Sequence, residues 1–200
     1  MKYDPTKHHR RSIRLKGYDY TQPGTYFITI CTHHQQCLFG ELVESKMQLN
    51  QFGQIVRSHW LKLPKYHPHL QLDVFVVMPN HIHGILALTN DVGEGFGNNL
   101  SDLSDDSVGA GFGNDLSDLT NKSAAKPAPT NHGIPEIVRG FKTFSSRQIN
   151  QVRRTSGVPV WQRNYYEHII RDETALHTIR HYIQTNPANW KVDRLYPAQP

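Results

Sequence analysis

Histidines 81 and 83 are the residues of this chain with the plainest capacity for chemistry. They stand in the stretch VFVVMPNHIHGILAL, residues 74–88, whose alternation from Ile82 onward predicts a β-strand with two unlike faces, because side chains two apart point the same way. Ile82, Leu86 and Leu88 would face a core. His81 and His83 would then lie side by side on the other face, their Cα atoms about 7 Å apart. Two neutral imidazoles held on a strand can grip one divalent cation from a rigid support. Without a partner they would be no more than partly exposed strand histidines, since His-x-His also recurs by accident.

The end of the chain supplies a candidate partner. Asp172 can cap a helix over about 173–186 that Pro187 ends, with Leu176, Ile179 and Ile183 inward. Tyr182 and Asn186, four residues apart, project from one side of that helix about one turn from each other. The Asn186 amide offers a hard oxygen suited to magnesium or manganese beside two imidazoles, leaving positions for water or phosphate. A tyrosine hydroxyl is a poor nucleophile at its free pKa near 10. Next to a metal-polarised phosphodiester it needs less activation. The plainer reading has Tyr182 packing and Asn186 capping before Pro187.

Other elements must position these groups. TYFITIC at 25–31 alternates as a strand after the Pro23-Gly24 turn, and 37–43 with 46–50 forms a hairpin bending at Glu44-Ser45. Asn50 caps a helix over about 51–66 with Phe52, Ile55, Val56, Trp60 and Leu63 on one side, closed by Pro64 and Pro68. Residues 70–77 return as a strand ahead of the histidine strand. Farther on, IPEIVRGFKTFSSRQINQVRR at 134–154 predicts a helix with Ile137, Phe141, Phe144 and Ile149 inward and Arg139, Lys142, Arg147, Arg153 and Arg154 outward. Residues 160–170 then read as a strand. GEGFGNNLSDL at 93–103 reappears as GAGFGNDLSDL at 109–119. These copies bury too little apolar surface to order themselves, so 90–132 is expected to be an inserted, mostly disordered loop. The domain plan is thus a basic arm at 1–16, one domain from 17–89 and 133–200, and the insertion between its halves.

Composition narrows the classes. Two hundred residues with 37% hydrophobic content suffice for one domain with a core. No apolar run approaches the roughly 20 residues of a membrane span, and the basic start lacks an apolar leader core. A protein that remains in the cytoplasm, associated with the nucleoid, is expected. Cys31 and Cys37 are the chain's two cysteines; too few for a disulfide framework, they are expected to be reduced packing residues. The net charge is +5, but residues 89–132 carry seven acids against Lys122 and Lys126, which leaves +10 on the remainder. Such an excess attracts polyanions, nucleic acid foremost, although a solvated basic surface would show the same balance.

NHIHGIL, followed downstream by WQRNYYEHIIRDE and YIQTNP, closely resembles the single-tyrosine HUH transposase superfamily, related to the insertion-sequence 200/605 transposases. Within it the chain looks most like the branch of REP-associated tyrosine transposases, as RRSIRLKGYDYTQPGTYFITICT at the front also does. The likeness spans nearly everything but the insertion. It implies an α+β, ferredoxin-like antiparallel sheet with packed helices, the HUH endonuclease fold. It further implies a divalent metal, Mg²⁺ or Mn²⁺, and cleavage of single-stranded DNA at hairpin or palindromic sequences through a 5′-phosphotyrosine. Carried across, His81 and His83 match the HUH pair, Tyr182 the nucleophile, and Asn186 the place of a third metal ligand. Insertion-sequence relatives usually have glutamine there, so the shorter Asn requires the helix to sit closer to the sheet.

Tyr165 and Tyr166 are rival nucleophiles by residue type. Arg10, Arg11, Arg14, Lys142, Arg147 and Arg163 are the expected phosphate contacts, and Trp161 or Tyr18 could stack on an unpaired base, with Trp161 better suited to the core. The resemblance allows a monomer or a homodimer that exchanges its last helix. Competing classes are a non-catalytic structure-specific DNA-binding or regulatory protein derived from a transposase, and a metal-dependent phosphohydrolase in which water attacks. A ferredoxin-like RNA-binding module fits by architecture, but the first strands lack its aromatic signature.

Overall fold

A computed structural model describes residues 17–90 and 132–197. The basic arm with Arg10, Arg11 and Arg14, and residues 91–131 with both copies of the duplicated stretch, lie outside the described residues. Six strands and four helices follow in order: β1 (Gly24–Cys31), β2 (Gly40–Val43), β3 (Lys46–Leu49), α1 (Gln51–Leu61), α2 (Leu63–Tyr66), β4 (Leu70–Met78), β5 (His81–Leu88), α3 (Ile134–Val152), β6 (Tyr166–Ile170) and α4 (Glu173–Thr185). Four strands form an antiparallel sheet in the order β4-β5-β1-β6, with β2 and β3 a separate hairpin. Setting that hairpin aside, the chain runs strand, helix, strand, strand, helix, strand, which is the split ferredoxin-like α+β arrangement.

Alternation divides the sheet into two faces. Tyr26, Ile28 and Ile30 of β1 with Ile82, Leu86 and Leu88 of β5 pack under Ile55, Val56 and Trp60 of α1 and Ile137, Phe141 and Ile149 of α3. Gly84 lets this layer close, because a Cβ there would stand 2.4 Å from the Trp60 ring. On the opposite face Phe27, Ile85 and Ile170 meet Ile183, with Leu176 and Ile179 of α4 alongside. The Asp172 side chain caps α4 by accepting from Ala175 N at 2.8 Å. β4 shifts register between Leu72 and Phe75; in that irregularity Asp73 takes a two-pronged contact from Arg180 of α4, with Nη2 2.6 Å and Nε 3.0 Å from Oδ2. α4 is thereby clamped to the sheet of its own chain.

Several expectations need correction. The 51–66 helix is two helices, since Lys62 leaves the first and Pro64 falls in the first turn of α2, where a missing N–H costs nothing. The strand foreseen at 160–170 is ordered as a ladder only from Tyr166. Before that, one bridge joins Thr32 to Trp161, and the Lys142 ammonium donates to the carbonyls of Gln162 and Arg163 at 2.6 and 2.9 Å. Those carbonyls are thus satisfied by a side chain rather than by a neighbouring strand. Phe144 points outward, 56% exposed, and Ser145 is buried in its stead. Cys37 is exposed rather than packed. Trp161 lies in the core, as its type suited it, and donates Nε1 to Ser145 Oγ at 3.0 Å, while Tyr18 packs edge-on against Tyr20.

Candidate active site

The site forms where the polar end of the α4-facing sheet surface meets the last turn of α4. His83 pairs in register with Thr29, and Thr29 Oγ1 lies 2.7 Å from His83 Nδ1. That turns Nε2 toward α4, where the Tyr182 hydroxyl stands 3.2 Å away. His81 is held by the residue before it: Nδ1 lies 2.7 Å from Asn80 Oδ1, while Asn80 Nδ2 donates to the Gln35 and Leu195 carbonyls. An amide oxygen only accepts, so His81 carries its hydrogen on Nδ1 and presents a bare lone pair on Nε2. The two imidazole centroids are 4.4 Å apart.

Asn186, 1% exposed, donates Nδ2 to Asp193 Oδ2 at 2.7 Å, which turns its Oδ1 the other way. The same Asp193 oxygen accepts from the Tyr182 hydroxyl at 3.2 Å, and Oδ1 accepts from Leu195 N at 2.6 Å. One carboxylate therefore orients both the amide and the phenol. His81 Nε2 and Asn186 Oδ1 are each buried without a hydrogen-bond partner. Buried acceptors are normally satisfied. Two lone-pair donors left bare, in a site with a second imidazole, fit a hard or borderline divalent cation. Among the described residues no three His, Cys, Asp or Glu side chains are grouped to hold a metal, so the third ligand of such a set would be the Asn186 amide.

Electrostatics favour the same use. Burial lowers His81 to about 4, with Asp193 and Asn186 opposing. Burial and then His81 lower His83 to about 3. Both rings are neutral at pH 7, the state that binds metals. Tyr182 is pushed up to about 12 by burial and then by Asp193, so these residues alone do not ionise the phenol. Burial works against Asp193, but Leu195 N, Asn186 and the two histidines keep its carboxyl below the usual range.

Tyr182 is 42% exposed and lines a cavity of about 430 Å³ with His83, Thr29, Tyr165, Tyr166 and Asp193. Phe27 stacks on His83 and meets Tyr166 and Tyr182 edge-on. Tyr166 is exposed on β6, while Tyr165 is half-buried against the core. Of the remaining basic candidates, Arg147 and Arg163 are exposed. Lys142 is corrected: its ammonium is spent on loop carbonyls, and burial lowers its pKa to about 8. Sequence reasoning missed Asp193, Thr29 and Asn80. Only Asn80 carried a signal, by directly preceding the first histidine.

Fold and site together define an α+β protein with a histidine pair on a central strand facing a helix-borne tyrosine. The chain belongs to the family of a Haemophilus influenzae protein described only as uncharacterized, to which it is 42% identical over 196 residues, covering 98% of this chain and 97% of that one. No family model matches. Among solved structures it is similar to a REP-associated tyrosine transposase bound to a REP hairpin, with 18% identity, a TM-score of 0.48, and 90% of this chain and 73% of that one covered. It is also similar to a proposed transposase from Deinococcus radiodurans R1, with 14% identity, a TM-score of 0.42, and 86% and 96% covered. Among the described residues no helix is long and apolar enough to cross a membrane.

Proposed function

We propose that this protein is a metal-assisted endonuclease and strand transferase acting on single-stranded DNA with hairpin or palindromic structure, with Tyr182 as nucleophile. The observation that carries this reading is the convergence of two partnerless buried acceptors, His81 Nε2 and Asn186 Oδ1, with the Tyr182 hydroxyl 3.2 Å from His83 Nε2. The substrate class rests on the likeness of NHIHGIL and YIQTNP to the HUH transposases and on the +10 carried outside residues 89–132. Of the six basic candidates named from the sequence, Arg147 and Arg163 are the two described ones that are exposed and so able to meet phosphates.

His81, His83 and Asn186 would hold Mg²⁺ or Mn²⁺, which when bound supplies positive charge for a phosphate's developing negative charge. Asn80 and Thr29 fix the two rings, and Asp193 fixes the amide. Asp193 Oδ2 also receives the phenol hydrogen bond, so it is placed to draw the proton as Tyr182 Oη attacks phosphorus. The Oη–P bond forms, the P–O3′ bond breaks, and the departing oxygen leaves as a 3′-hydroxyl after taking a proton. The strand's 5′-phosphate stays on the tyrosine. Because one phosphodiester replaces another, the 3′-hydroxyl can reverse the step without ATP.

The test is incubation of the full chain with Mn²⁺ and 3′-labelled single-stranded palindromes from its own genome, read on a denaturing gel. A labelled protein band that Tyr182→Phe removes, while binding stays nearly intact, supports the reading; a band that persists in Tyr182→Phe eliminates it. The raised pKa of Tyr182 favours one second reading, a phosphohydrolase in which water attacks. That enzyme would cut the strand and leave no protein on the 5′ end.

A further inference from the structure

We propose that Arg194 is a further catalytic residue, its guanidinium meeting the non-bridging oxygens of the phosphate that Tyr182 attacks. This rests on the function proposed above and adds which side chain of the protein itself answers the charge that develops there. Among the described residues, Arg194 is the one Lys or Arg lining the cavity of about 430 Å³ that Tyr182 and His83 share. The carboxylate in that cavity, Asp193, is already committed to the Tyr182 hydroxyl, Asn186 Nδ2 and Leu195 N. Arg194 is committed to nothing: it is exposed, and among the described residues its guanidinium has no hydrogen-bond or ion-pair partner. Arg180, by contrast, is spent on Asp73, and Arg163 lines a different cavity.

The side chain is free, but the backbone beneath it is fixed. Asp193 N donates to the Trp190 carbonyl at 3.1 Å and Tyr196 N to the Asp193 carbonyl at 2.9 Å, while the Leu195 carbonyl accepts from Asn80 Nδ2 at 2.8 Å. Asn80 is the residue that orients His81, and the Trp190 ring lies beside His81 with centroids 5.7 Å apart. Arg194 is thus mounted on a turn tied to the groups that fix both the histidine and the phenol. Its charge reaches into the site. Burial and then Asp193 raise the pKa of Tyr182, and Arg194 pulls the other way; it opposes the same two influences at the Cys31 thiol. The reaction calls for such a cation. As the Oη–P bond forms and the P–O3′ bond breaks, the phenol proton leaves toward Asp193, and the phosphate carries one more negative charge than at rest. A guanidinium presents paired N–H groups in a plane that matches two phosphate oxygens, and it stays protonated throughout.

The experiment compares the full chain with Arg194→Ala, a change of an exposed side chain, on a palindrome made with either an ordinary phosphate or a neutral methylphosphonate at the position the parent chain cuts. With Mn²⁺ and the ordinary phosphate, Arg194→Ala should slow formation of the Tyr182 adduct about 100-fold. On the methylphosphonate, which lacks the charge that the guanidinium meets, variant and parent should run at the same rate. No loss on the phosphate, or the same loss on both substrates, overturns the catalytic role. A second readout needs neither metal nor cleavage. In EDTA, modification of Arg194 by phenylglyoxal, mapped by mass spectrometry, should be lost when the palindrome is bound, with Arg180 as the unchanged reference. An Arg194 that stays equally reactive overturns the contact. The two readouts separate this proposal from the one it rests on. A chain that yields no Tyr182 adduct but protects Arg194 refutes the reaction and keeps the phosphate contact. An adduct with Arg194 unprotected does the reverse.

Discussion

The two faces of the sheet are made from the same strands and end in opposite conditions. Under α1 and α3, Tyr26, Ile28, Ile82 and Leu86 are wholly buried against Trp60 and Phe141. Under α4, one residue along each strand, the row holds Phe27, Thr29, His81 and His83. Each face has buried polar atoms without hydrogen-bond partners. On the apolar side Trp60 Nε1 is one, an N–H that can never bind a cation; on the α4 side His81 Nε2 and Asn186 Oδ1 are two that offer lone pairs. The lesson is that unsatisfied burial by itself marks nothing. Its sign, donor or acceptor, and the company it keeps distinguish a packing cost from a place for an ion.

Substitutions can break this contrast. His81→Ala should abolish cleavage, with no rescue by added Mn²⁺, while a urea melt shows a stability loss of only about 1–2 kcal/mol from the broken Asn80 bond. Trp60→Ala should do the opposite through the cavity it leaves, costing about 3–5 kcal/mol in the same melt. If both variants lost stability equally, the two faces would not differ in role. Asp193→Ala frees the Asn186 amide to turn, and Mn²⁺ affinity measured by calorimetry should fall about 10- to 100-fold.

Acid sharpens the comparison. The folded pKa values of about 4 for His81 and about 3 for His83 lie below the ordinary value of 6.5, so the unfolded chain binds more protons between these limits. Stability of the metal-free protein should be level in these two groups above about pH 7. It should fall as pH drops below about 6.5, by up to about 1.4 kcal/mol per pH unit for each histidine, and level off below the folded values. His83→Ala should flatten the slope of midpoint against pH; an unchanged slope would assign the sensitivity elsewhere. The smallest effect concerns the helix clamp. Asp73→Asn leaves a partly exposed Arg180 and should cost up to about 1 kcal/mol, diminishing with salt.

Periodicity made much of this legible in the sequence. β1, β5, α1 and α4 follow from alternation or from three- and four-residue spacing, and the caps Asn50 and Asp172 act where their types suggest. The turn residues Glu44 and Ser45 take positive φ as a tight bend requires. What escaped was tertiary. Asp193 lies beyond α4 in a segment with no period, so nothing local ties it to Tyr182 and Asn186. Lys142 occupies an outward position on its helix yet bends to the carbonyls of Gln162 and Arg163, in a segment that makes one bridge, Thr32 to Trp161, rather than a ladder. Phe144 fails the inward set because its neighbour Ser145 occupies the buried position, bonding the Phe141 carbonyl and Trp161.

The most direct test of the central claim is to trap the covalent product on a single-stranded palindrome with Mn²⁺, trim the DNA with nuclease and map the modified peptide by mass spectrometry. The account predicts a nucleotide joined through its 5′-phosphate to Tyr182. A modification on Tyr165 or Tyr166, or cut DNA bearing a free 5′-phosphate and no protein, would contradict it.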